Sequence, residues 1–140
     1  GRNEQEHQPY PYYADLAEMA RAVDWLVVIA PGTQETKGIV SRPVMEALGS
    51  KGKLVNMGRG SLVDEGAMIE LLESGVLGGA ALDVFAEEPH VPERLRALEN
   101  VVLLPHQGSA THKTRAAMGM MVVRNLKAHL RGEPLISPVV

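Results

Sequence analysis

The chain has 140 residues, 45% hydrophobic and 22% charged, a balance that suits one globular domain with a real core and argues against disorder. Fourteen basic and 17 acidic residues leave a formal charge of -3, without the basic excess of a nucleic-acid binder. There is no cysteine, which excludes disulfides, thiolate metal sites and cysteine nucleophiles. No apolar run approaches the ~20 residues that cross a bilayer, and no secretory signal is visible, so the expectation is a cytoplasmic protein with neither membrane nor nucleic-acid partner.

The chain opens at Gly1 on a polar stretch, GRNEQEHQPYPYY, without apolar periodicity. Asp15 and Glu18 then have the spacing of a capping box, and Leu16, Met19, Ala20 and Val23 recur at helical intervals. Trp25 to Ala30 is a continuous apolar run rich in β-branched residues, stopped by Pro31 and Gly32, and reads as a buried strand. Ser41 is placed to cap a short helix with Pro43 in its first turn and Gly49 past its end. Lys53 to Met57 reads as a second strand. A helix follows from Asp64, turning Met68, Ile69, Leu71 and Leu72 inward and closing at Gly75. Gly79 to Val84 and Val101 to Leu104 read as two further strands. Thr111 to Arg131 is a long helix with Met118, Met121, Val122 and Leu126 along one face.

Strands separated by helical segments are too far apart for hairpins and are spaced for crossovers. The pattern predicts an α/β domain: a doubly wound parallel sheet with helices on both faces, Rossmann-like and incomplete at its N-terminus. Ligands in such sheets bind outside the carboxyl ends of the strands, which directs attention to the segments after Ala30, Met57, Val84 and Leu104.

The first of these segments, APGTQET, is on its own ordinary turn chemistry. The second, NMGRGSLVDE, imitates a dinucleotide fingerprint but has Val63 where the third small residue belongs. Its Arg59, between Gly58 and Gly60, suits bidentate binding of a carboxylate, or is a surface arginine in a turn. In LDVFAEEP, Asp83 lies within an apolar run and needs a partner, while Glu87 and Glu88 precede Pro89. In LPHQGSAT, His106 stands at a strand end, where a carboxylate partner would make it an acid–base group. His7, His90, His112 and His129 have no such setting and read as solvated or packing residues. Nothing indicates a metal site.

Taken together and in this order, VVIAPGTQETKGIV, LVNMGRGSLVDEGAMIELLESGVLGGAALDVFAEEP and NVVLLPHQGSAT resemble the D-isomer-specific 2-hydroxyacid dehydrogenases, most nearly their glyoxylate/hydroxypyruvate reductase branch. The resemblance runs from about Tyr10 to the C-terminus. It implies reduction of a small 2-oxo acid to a D-2-hydroxy acid with a nicotinamide cofactor. Arg59 would bind the substrate carboxylate and carbonyl oxygen, His106 would be the general acid, and Glu88 would hold His106 protonated. Asp83 would meet the nicotinamide carboxamide, with Gly108 and Ser109 nearby. Pro31 and Thr36 would line the adenosine and phosphate side, and Met57 and Gly58 would face the nicotinamide. Arg2 and Asn3 stand where members that use NAD place an acidic residue, so NADP is the expected cofactor, with NAD the alternative.

Two features depart from a full member: the G-x-G-x-x-G loop with its strand is missing, and so is the substrate domain. The resemblance implies a chain that starts just after the second strand of the dinucleotide fold. Residues 1–110 would then be the C-terminal portion of the NAD(P)-binding domain, and residues 111–140 a terminal helix and tail returning toward a substrate domain. Without the loop the chain alone is expected to bind cofactor poorly and not to turn over. The resemblance also implies a homodimer through the nucleotide-binding domain. The competing readings are a dinucleotide-sensing binding protein of the same fold, such as the related corepressors, and an inactive truncated fragment.

Overall fold

A computed structural model describes residues 3, 4 and 6–139. They divide into two compact units, Gly1–Pro105 and His106–Val140. The first runs α1 (Leu16–Arg21), β1 (Trp25–Val28), α2 (Arg42–Leu48), β2 (Lys53–Asn56), α3 (Glu65–Glu73), β3 (Ala80–Leu82), α4 (Glu93–Arg96) and β4 (Val101–Leu103), with a short 3₁₀ turn at Gly60–Leu62. The second holds α5 (His112–Leu130).

The four strands form one parallel sheet in the order β1-β2-β3-β4. Consecutive parallel neighbours joined by helical crossovers are the arrangement expected from the spacing of the apolar runs. Along β1 and β2 the residues facing the helices are buried: Leu26 and Val28, then Leu54 and Asn56. Against that face α1 packs on α2 and α2 on α3. Met45, Leu54, Leu62, Met68, Leu77 and Leu95 are fully buried there and form the centre of the core.

Side-chain caps close the N-termini of three of the five described α-helices. The Asp15 carboxylate accepts from the amides of Ala17 (2.7 Å) and Glu18 (2.9 Å), and Asp64 Oδ1 accepts from Ala67 N–H at 3.0 Å. Thr111 Oγ1 accepts from Thr114 N–H at 3.1 Å in the same way. Ser41 occupies its predicted cap position, but its hydroxyl makes no capping bond. Pro43 stands in the first turn and has no N–H, which removes one of the amides a cap hydroxyl serves. The four-residue α4 has no counterpart in the sequence reading. Its single buried apolar residue, Leu95, cannot display a helical period.

The other face of the sheet carries exposed apolar side chains. Trp25 is 61% exposed, and Val27 and Val102 are also mostly exposed. Val27, Val55, Ala81 and Val102 lie side by side in register across all four strands. Within the first unit the helices pack against the opposite face, and the parallel sheet with flanking helices is the Rossmann-like arrangement expected from the sequence. No helix of the described residues is long and apolar enough to cross a membrane.

Candidate active site at the carboxyl ends of the strands

The register sets Val28, Asn56, Leu82 and Leu103 at one level. The ladder then continues one residue further, with Met57 N–H donating to Val28 O (3.0 Å), Asp83 N–H to Asn56 O (3.0 Å) and Leu104 N–H to Leu82 O (2.8 Å). The segments singled out after β1, β2 and β3 consequently leave the sheet together, at its carboxyl edge.

Asn56 shapes the middle segment. It is 1% exposed, and its side chain spans the turn: Oδ1 accepts from Gly58 N–H at 3.1 Å and Nδ2 donates to Arg59 O at 3.0 Å. An asparagine closing an apolar strand ahead of a glycine-rich turn is the signal for such a bracket, and the sequence reading passed over it. The bracket sends Arg59 outward with extended backbone (φ -142°, ψ 146°). Its guanidinium Nη1 donates to Gly58 O at 2.7 Å, and its stem passes over Gly32, where a Cβ would stand 2.8 Å from Arg59 Cγ.

The two glycines beside Arg59 have packing roles. A Cβ on Gly58 would meet Leu62 Cδ1 at 2.7 Å and Ala30 O at 2.9 Å. One on Gly60 would lie 1.9 Å from Phe85 O and 2.5 Å from Ala86 N, distances no real Cβ tolerates. The Arg59 turn thus touches the loop after β1 through Gly32 and Gly58, and the loop after β3 through Gly60.

In that third segment Asp83 is 5% exposed at the end of β3. Glu88 turns back on its own loop, its Oε1 accepting from Phe85 N–H at 3.0 Å. The next amide, Ala86 N–H, donates to Glu65 Oε2 at 3.1 Å. After β1, the Thr36 hydroxyl closes its own loop, bonding Pro31 O at 2.7 Å and accepting from Thr33 N–H at 2.9 Å. Thr36 and Pro31 are therefore held as one preformed turn. Met57 is half-exposed beside Gly58. Asn3 lies elsewhere, in a cleft of 320 Å³ shared with Tyr10, Tyr12 and Tyr13. Arg2 lies outside the described residues.

In the second unit, His106 has φ 54°, the one positive φ among the described non-glycine residues. A side chain in the left-handed region is uncommon, and such backbone is retained at functional sites more often than elsewhere. Gly108 and Ser109 follow it on the approach to α5. No cluster of metal-ligating side chains occurs among the described residues.

The profile of the D-isomer specific 2-hydroxyacid dehydrogenase NAD-binding domain matches residues 1–108. The chain belongs to this family. It is 57% identical over 131 residues to glyoxylate/hydroxypyruvate reductase A HPR2 of Arabidopsis thaliana, covering 94% of this chain and 42% of that protein. Hydroxyphenylpyruvate reductase of Plectranthus scutellarioides is 52% identical over 139 residues, 99% of this chain and 44% of the relative. The NADPH-dependent glyoxylate/hydroxypyruvate reductase of Sinorhizobium meliloti, solved with NADP and malonate, superposes with a TM-score of 0.95 at 48% identity, over 100% of this chain and 44% of that one. This dehydrogenase segment thus spans less than half the length of the relatives it matches.

Proposed function

We propose that this segment carries the reacting end of an NAD(P)H-dependent reductase, working within a longer protein and converting a small 2-oxo acid of the glyoxylate or hydroxypyruvate type to the D-2-hydroxy acid. The observation that carries the reading is the Asn56 bracket, which aims Arg59 outward at the level where the β3 strand delivers buried Asp83.

The residues fit the nicotinamide half of a dinucleotide: a buried carboxylate at the end of β3 and the half-exposed Met57 at the end of β2. When bound, the reduced nicotinamide supplies the hydride that adds to the carbonyl carbon. The remaining work belongs to the chain. Arg59 holds the substrate carboxylate and polarises the carbonyl oxygen, His106 delivers the proton that oxygen takes up, and Glu88 is the carboxylate that serves His106 in that step. Pro31, Thr36, Gly108 and Ser109 line the cofactor's course, and Arg2 with Asn3 selects the 2′-phosphate of NADP over NAD. Two copies pair through the nucleotide-binding domain.

No G-x-G-x-x-G loop stands in the sequence to hold a pyrophosphate, so the 140 residues alone do not turn over. The test is oxidation of NADPH and NADH with glyoxylate and hydroxypyruvate, using both the isolated segment and the full-length protein that carries it. Turnover is expected only in the longer protein, faster with NADPH, and reduced at least a hundredfold in Arg59→Ala. Full activity of Arg59→Ala, or dinucleotide-dependent peptide binding without turnover, would overturn the reading.

A further inference from the structure

The Arg59 turn and the Glu88 turn come from different strands, yet they meet with almost no slack. Gly60 lies directly on the backbone of Phe85 and Ala86, where even a methyl group finds no space. Phe85 is itself buried in the core, and Leu62, two residues beyond Gly60, is buried in the same cluster. Steric contact of this kind limits approach but does not prevent the turn from lifting away, since contact attraction between a few atoms is weak. A directional bond is needed to close it.

Glu65 supplies that bond. It is the first residue of α3, directly after the Asp64 cap, and half-buried. Between Arg59 and Glu65 the chain is stiff: the 3₁₀ turn Gly60–Leu62 is followed by Val63, bridged to Val40, and by Asp64, whose N–H donates to Val40 O at 3.1 Å. From the end of this braced segment Glu65 Oε2 accepts from Ala86 N–H at 3.1 Å, and the adjacent Phe85 N–H is the donor to Glu88 Oε1. Two successive amides of one turn thus serve two carboxylates, one anchoring the turn to α3 and the other folding Glu88 back on it.

We propose that Glu65 is a positioning residue that locks the Phe85–Glu88 turn to the Arg59 turn, and so fixes the placement of the Glu88 carboxylate relative to the substrate-binding arginine. The inference rests on the roles given above to Arg59 and Glu88. Glu65 touches neither substrate nor cofactor; it acts through Ala86.

Two variants separate this role from a helix-end charge effect. Glu65→Gln removes the charge at the start of α3 but keeps an amide oxygen that accepts from Ala86, whereas Glu65→Ala removes both. In the full-length protein, Glu65→Ala is expected to lower kcat roughly tenfold with little change in KM for the 2-oxo acid, because a charged hydrogen bond that orients a group is lost. Glu65→Gln should recover most of that loss. Independently, amide hydrogen exchange at Ala86 in the segment itself should quicken in Glu65→Ala and stay near native in Glu65→Gln. Native exchange at Ala86 in Glu65→Ala would overturn the tie whatever the enzyme does. Quickened exchange with unchanged kcat would overturn the positioning role, provided Arg59→Ala and Glu88→Gln are impaired; if those two are fully active, it is the reading of the site that fails.

Discussion

Gly60 shows how a motif residue is dictated by a neighbour distant in sequence. An added Cβ there would overlap the carbonyl of Phe85 at 1.9 Å, and backbone cannot rotate away as a flexible side chain does. Gly60→Ala is expected to cost about 1–3 kcal/mol of stability, the usual scale of overpacking, and to displace the Phe85–Glu88 turn. Urea unfolding of the segment measures it; an unchanged midpoint would show that the two turns separate freely. Asn56 and Arg59 make a second case at this scale. The types of Gly58, Arg59 and Gly60 pointed to a strand-end turn with an outward arginine. The bracket by Asn56 that holds the turn depended on which carbonyl and which amide came within 3.0 and 3.1 Å.

At the scale of elements, every strand expected from the apolar runs is present, though each is shorter than its run: β1 covers Trp25–Val28 and β3 Ala80–Leu82. An apolar run continues through the strand-end residues that leave the ladder, so composition cannot mark where pairing stops. The short α4 is held to α3 by a surface fork, Arg94 Nε to Glu73 Oε1 at 3.0 Å and Nη2 to Glu73 Oε2 at 2.6 Å. These bonds and the positive charge of Arg94 hold the Glu73 carboxyl below its ordinary value, and Arg94 is raised in turn. A carboxylate whose pKa is depressed by folding stabilises above its unfolded value and loses that contribution as pH falls and it protonates. Glu73→Gln should therefore lower Tm slightly at neutral pH, with the gap from the native chain closing on acidification and in high salt. Melting curves across acid pH decide this, and a gap independent of pH would mean the fork contributes nothing.

At the scale of the molecule, the first unit builds one face of its sheet into the core and leaves apolar side chains exposed on the other. Trp25 is the sole tryptophan and lies on this exposed face, 61% exposed, beside the row Val27, Val55, Ala81 and Val102 in register. Its fluorescence in the dilute segment should be red-shifted and readily quenched by acrylamide. Protection that appears only on raising the concentration would mean that copies cover the face by stacking, a known fate of bare apolar surface. Blue emission resistant to quenching at high dilution would contradict the exposure of Trp25.

Fold class, the order of the strands and membership of the dehydrogenase family are legible in the chain alone. Those follow from periodicity, turn residues and motif order, which are local properties of the chain. That Gly60 and Phe85 share one space, that Asn56 brackets Arg59 and that Glu65 reaches Ala86 emerged with the fold. The Gly60–Phe85 and Glu65–Ala86 contacts join residues brought together by the parallel register, and the register is set by the packing of the whole sheet, not by any single segment.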